Sequence, residues 1–244
     1  MDLERMLFSQ GFGSRRECRA LIARGAVSLA GYPTDDPATT VPDGAIDFTV
    51  DGVAWRYREK VYLAMHKPPG FECSHDPQHH RSVFELLPWP LRQRGVQCVG
   101  RLDQDTTGLL LFSDDGAFVH QLTAPKRKVP KCYRATLKHA VNDALLDALG
   151  AGVVLRDAPE PMAALAVHRV GDAEIELEIA EGKYHQVKRM VAAAGNRVVG
   201  LHRVAIGGLT LPSDLLEGTW RYLDDAERAA LRAKNAPTVG YVNA

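Results

Sequence analysis

A chain of 244 residues with 45% hydrophobic and 25% charged side chains can hold one or two packed domains, which excludes disordered and fibrous classes. Thirty basic residues balance thirty acidic ones, so any nucleic-acid surface has to be local. No apolar run approaches the ~20 residues that cross a bilayer, and the acids in Met1-Asp2-Leu3-Glu4-Arg5 are wrong for a secretory signal, so the expectation is a cytoplasmic protein without membrane contact.

The first element is a helix opened by Ser14-Arg15-Arg16-Glu17, a capping-box pattern. Cys18, Leu21 and Ile22 form its apolar stripe, while Arg15, Arg16 and Arg19 share another arc, suited to a phosphate backbone. Gly25 ends the helix, and Val27 and Leu29 alternate into a short strand that stops at Gly31. Pro33 to Pro42 is turn-rich, and Asp47 to Gly52 reads as a strand and turn. A domain boundary is expected near residue 58, which gives domains 1–58 and 59–234 and a mobile tail from 235 to 244. Beyond the boundary, strands are expected around Val96–Val99, Leu109–Phe112, Lys131–Ala135 and Ala173–Ala180, the last with Glu174, Glu176 and Glu178 on a half-exposed face. Helices are expected at Ala117–Thr123, Asn142–Leu149 and Tyr184–Ala194. Cys18, Cys73, Cys98 and Cys132 lie far apart without a C-x-x-C pair and read as buried or half-buried thiols.

Four segments carry polar chemistry. Gly100-Arg101-Leu102-Asp103-Gln104-Asp105-Thr106-Thr107-Gly108 lies between two strands, where a rigid scaffold could present a carboxylate; a simple Asx-type turn explains it equally well. Glu181 to Met190 runs through a turn into a helix, and Lys188 is spaced to share a face with Tyr184, either toward a carboxylate or toward solvent. Met65-His66-Lys67-Pro68-Pro69-Gly70 ends a strand in a turn, and Lys131-Cys132-Tyr133-Arg134-Ala135 alternates like one. Lys126, Arg127, Lys128 and Lys131 form one local basic run, and Lys183, Lys188, Arg189, Arg197 and Arg203 another; both could contact phosphates or be solvated faces. His75, His79 and His80 are poor metal candidates because Pro77 breaks the helix their spacing would need.

The four segments resemble, in order, the H-K-P-x-G, G-R-L-D-x-x-T-x-G-L-L-L, K-x-Y and E-G-K-x-H-Q-V-K-R-M motifs of RsuA-type pseudouridine synthases. The N-terminal stretch from Ser14 to Gly31 is similar to the S4-type RNA-binding domain, with Ala30 where Asn is usual. The resemblance implies an α+β protein. A small S4-like α/β domain is followed by a catalytic domain whose mixed, mainly antiparallel sheet is flanked by helices. It implies isomerisation of a uridine without cofactor or metal: Asp103 as the essential carboxylate, Lys188 as its cationic partner, Tyr133 stacked on the target base, and Arg101 holding the displaced nucleotide. Arg15, Arg16, Arg19, Lys126, Arg127, Lys128, Lys131 and Arg189 would then contact RNA. Tyr184-His185-Gln186 and Leu201-His202-Arg203 are most similar to the small-subunit branch, which implies a monomer acting on 16S rRNA, free or in a pre-30S particle, at uridine 516. Rival readings are a large-subunit or tRNA uridine, a non-catalytic RNA-binding assembly factor, and a histidine-based metal hydrolase.

Overall fold

A computed structural model describes residues 1–155 and 160–233, so the tail expected from 235 to 244 lies outside the described residues. The chain divides into two compact units. Helices α1 (Leu3–Ser9) and α2 (Arg15–Ala23) begin the first, and both start at capped ends. Asp2 accepts from the Arg5 amide at 2.7 Å, and Ser14 and Glu17 complete the capping box expected from the sequence. Strands β1 (Val27–Leu29), β2 (Tyr32–Pro33), β3 (Asp47–Val50) and β4 (Val53–Arg56) form an antiparallel sheet in the order β2-β1-β3-β4. Leu3, Met6, Leu7, Cys18, Ile22 and Phe48 fill the space between helices and sheet, which is why the apolar stripe of α2 faces inward.

Residues 87–97 and 113–115, assigned by the sequence reading to the second domain, cluster with this first unit. One buried cation accounts for it. Arg94 binds Asp114 through Nε at 2.9 Å and Nη2 at 2.6 Å, and donates from Nη1 to Gln10 Oε1 and the Arg58 carbonyl. Such a buried pair holds distant segments together because separating it would strand a charge.

The second unit is built on strands β5 (Tyr62–Lys67), β6 (Phe71–Glu72), β7 (Arg81–Ser82), β8 (Gln97–Cys98), β9 (Thr107–Ser113), β10 (Lys131–Leu137), β11 (Ala166–Gly171), β12 (Glu174–Ile179), β13 (Val198–Ile206), β14 (Leu209–Thr210) and β15 (Trp220–Tyr222). Its main path runs β11-β12-β10-β13-β9-β5-β15, with β14 on β13 and β8 on β9. The short α3 (Trp89–Gln93), which precedes β8, clusters with the first unit, and helices α4 (Gly116–Thr123), α5 (Asp143–Ala151), α6 (Gln186–Ala193) and α7 (Asp225–Ala230) of the second unit follow in chain order. The result is the mixed, mainly antiparallel α+β architecture that the sequence implied. Leu109 and Leu111 of β9 pack with Ala64, Val99, Leu122 and Ile206 in its core. No described helix is long and apolar enough to cross a membrane.

Strands β9 and β13 run parallel, pairing His202 with Thr107 and Arg203 with Gly108. Gly108 has φ +102°, and a Cβ there would sit 2.3 Å from the Arg203 carbonyl oxygen, so only glycine admits this approach. Two details differ from the sequence expectation. Glu176 is buried, 3.4 Å from Arg134, because β12 is an interior strand covered by β10 and β11. Helix α6 begins at Gln186 with His185 in a left-handed conformation before it. Tyr184 therefore lies outside the helix, stacked on His185, and does not share a helical face with Lys188.

Candidate active site

Asp103 sits on the loop entering β9, and the chain around it is held by a buried lysine. Lys67, at the end of β5, is fully inaccessible to solvent. Its ammonium donates to the carbonyls of Pro68 at 2.9 Å, Gln104 at 3.2 Å and Thr106 at 2.9 Å. Burial lowers its pKa against the opposing pull of Cys73, Asp105 and Asp103. The Gly70 amide adds a bond to Gln104 O, and Thr106 N closes a turn onto Asp103 O. On the other flank the Leu102 amide donates to Cys73 Sγ at 3.5 Å. A hydrogen bond from Cys98 is the main cause that draws the Cys73 thiol down to about 7, despite its burial.

Lys188 of α6 and His185 just before it reach the loop. Lys188 Nζ lies 3.1 Å from Asp103 Oδ2 and only 2.7 and 2.9 Å from the two oxygens of Asp105, while His185 Nε2 is 3.5 Å from Asp103 Oδ1. Burial penalises the Lys188 ammonium, but hydrogen bonds to Asp105 and then Asp103 prevail and raise its pKa. Asp105 is lowered in turn: Lys188 overcomes the effect of burial. Asp105 is thus the nearer carboxylate of a Lys188 bridge.

Asp103 and His185 line a pocket with Arg101, Tyr133, Val187 and Leu201. Tyr133 reaches it from β10, where the register sets it opposite Leu177 on one side and Arg203 on the other. Arg203 is buried, although the sequence placed it in a basic surface run. Its Nε donates to Leu109 O at 2.8 Å, and its Nη1 lies 3.4 Å from the Tyr133 hydroxyl.

The basic residues expected on RNA separate into three groups. Arg15 and Arg19 of α2 both pair with Glu4, at 3.4 and 2.5 Å, and Arg16 is exposed beside them. Lys126, Arg127 and Lys128 are exposed on the turn before β10. Lys131 and Arg189 are half-buried and engaged locally: Lys131 donates to Val129 O at 2.7 Å and Arg189 to the carbonyl of the exposed Tyr184 at 3.0 Å. His75 stacks on Phe84, and Glu72 accepts the amides of Gln78, His79 and His80, so local packing orders the histidine loop.

Beside the site, the His202 ring meets Thr107 Oγ1 at 2.8 Å and lies edge-on to His66. Burial, then the charges of His66 and Arg134, depress its pKa to about 4. The unfolded chain, with a histidine near 6.5, then binds the extra proton, so this contribution is complete above that pH and lost as pH falls toward 4. Allowing for partial exposure, the loss is about 2 kcal/mol. His202→Gln should flatten the melting temperature between pH 7 and pH 4.5; parallel curves for variant and parent would assign the acid sensitivity elsewhere.

Residues 61–193 match the model of the RNA pseudouridylate synthase family. A crystal structure of a pseudouridylate synthase superposes with a TM-score of 0.68 at 33% identity, covering 95% of this chain and 99% of the other. The chain belongs to the RNA pseudouridylate synthase family and is an enzyme of that class. Its sequence is 36% identical to ribosomal small subunit pseudouridine synthase A of Vibrio cholerae, over 95% of this chain and 99% of that protein. The protein of that name from Escherichia coli is 40% identical over 170 residues, 70% of this chain and 73% of the relative. An uncharacterized RNA pseudouridine synthase of Bacillus subtilis is 37% identical over 97% of this chain and the whole of that protein.

Proposed function

We propose that this enzyme isomerises a uridine of small-subunit ribosomal RNA to pseudouridine, with Asp103 as the essential carboxylate and uridine 516 as the target. The observation that carries the reading is that Asp103, paired with Lys188, lines a pocket together with His185 and Tyr133. Pseudouridine formation breaks the N1–C1′ bond, turns the uracil and rejoins it through C5, so no atom enters or leaves and no cofactor is demanded. Asp103 either adds to C1′ as the oxocarbenium-like species forms or removes the 2′ proton on the way to a glycal. Lys188, 3.1 Å from Asp103 Oδ2, aims the carboxylate for both routes. The uridine has to leave its stack, which costs a few kcal/mol; Tyr133 stacks on the released base, and Arg101 supports the displaced nucleotide. The exposed Arg16 and the Lys126–Lys128 turn position the RNA, with the first unit acting as an S4-type module.

Purified protein incubated with small-subunit rRNA, free and carrying early assembly proteins, should yield one new carbodiimide-dependent primer-extension stop at uridine 516. A stop elsewhere in that RNA would move the target. Product only on large-subunit rRNA or tRNA would overturn the substrate class, and none on any of the three would return the chain to an RNA-binding factor.

A further inference from the structure

A cavity of about 220 Å³ adjoins the Asp103 pocket, and Arg101, Tyr133, Gly182 and Lys183 line both. Asp103, His185 and Leu201 line only the Asp103 pocket. The larger cavity has apolar walls from Val99, Leu122, Ala124, Pro125 and Ile206, and beyond the shared Arg101 and the Lys183–Glu181 pair its charged lining is Lys131 and Arg203. Arg203 is 2% exposed, and its Nη2 is buried without a hydrogen-bond partner among the described residues. A buried guanidinium nitrogen left this way is costly unless an acceptor arrives. Lys131, drawn down to about 8 by burial and then by the Arg203 charge, uses one N–H on the Val129 carbonyl at 2.7 Å and has two more to offer.

A uridine reacting at Asp103 has its base and its ribose joined at the attacked carbon, so its uracil occupies the pocket that Asp103 lines. The larger cavity is left for a different group. Its walls suit a flat ring, and its unpaired donor suits a ring carbonyl; a phosphate would exchange water for apolar walls on several sides. The next nucleotide of the same strand is the ring nearest at hand, and single-stranded RNA is read by splaying and stacking such bases. We propose that this cavity receives a second nucleobase of the substrate strand, flanking the target and held through a ring carbonyl by Arg203 and Lys131. The inference rests on the reading of the Asp103 pocket as the site of isomerisation.

The test uses a short rRNA fragment around the modified uridine and a set in which each flanking nucleotide in turn is abasic. With the parent enzyme one abasic position should lower kcat/KM about tenfold or more, the scale of one lost hydrogen bond to a charged donor. Ala124→Trp fills the cavity from a residue outside the Asp103 pocket. It should lower kcat/KM on the intact fragment to the same extent and cause no further loss on that abasic fragment. Lys131→Met, which removes the donor without filling the space, should shrink the abasic penalty in the same way. Thermal melts of both variants exclude unfolding as the cause. Parent activity that is indifferent to every flanking base would overturn the inference and leave the reaction standing. An Ala124→Trp enzyme equally impaired on intact and abasic fragments would mean that the target's own base uses the cavity, which also overturns it. Absence of product from the parent on every RNA would instead remove the functional reading on which it rests.

Discussion

Asp103→Asn is expected to lower the rate of pseudouridine formation by roughly a thousandfold or more, because the amide neither adds to C1′ nor takes a proton. The change is nearly isosteric, so packing of the loop is preserved. Lys188 keeps its closer partner, Asp105, at 2.7 Å, and the ammonium is not left bare. The lost contact is a partly exposed one at 3.1 Å, so stability should change by about 1 kcal/mol or less. Asp105→Asn is the informative control. It leaves Asp103 the sole carboxylate on Lys188 and should cost less than about tenfold. Single-turnover assays at saturating enzyme, with thermal melts alongside, separate the two positions. An Asp103→Asn enzyme within tenfold of the parent would refute the assignment, and equal, deep losses at both positions would make the carboxylates act as a unit.

Part of this arrangement was legible in the sequence for identifiable reasons. The capping box of α2, the apolar run of β9 and the alternation of β10 and β12 are local signals, and the structure contains all four elements. Helix α1 and the strands β11 and β13 were not anticipated. Strand β13 carries Leu201-His202-Arg203, whose mixture of polar and apolar residues hides a central strand that is covered on both sides. Arg203 looked like a surface cation because nothing local reveals its bonds to Leu109 and Tyr133, about 70 to 94 residues away. The partition of Lys188 between Asp103 and Asp105 is equally invisible, since it depends on how one turn presents two carboxylates to another element. Lys67 did leave a trace. Leu63, Met65 and Lys67 share one face of β5 by strand alternation, and Leu63 and Met65 are fully buried, which points the lysine into the interior.

That buried lysine gives the second large effect. Lys67→Met keeps the volume and the flexible stem but removes three donors at once, taking the lysine from the carbonyls of Pro68 and Thr106 and leaving Gln104 O with the Gly70 amide alone. Two opposing terms decide the outcome. The variant no longer buries a charge, a relief visible in the lowered pKa of Lys67, but it exposes several carbonyls to an interior without acceptors' partners. Because all three bonds are charge-assisted and those to Pro68 and Thr106 are 2.9 Å, the second term wins, and a loss of about 2–3 kcal/mol in a denaturant melt is expected. Two of the three carbonyls belong to the loop that carries Asp103, so the rate should fall as well, by roughly ten- to a hundredfold, as positioning is lost. Lys67 is thus a positioning residue, and hydrogen exchange separates that role from general weakening. The Gly70 and Thr106 amides, bonded to Gln104 and Asp103, should lose protection in the variant well beyond the amides of β10 and β12. Uniform loss of protection across the sheet would reduce Lys67 to a contributor to overall stability, with no particular hold on the loop beneath Asp103.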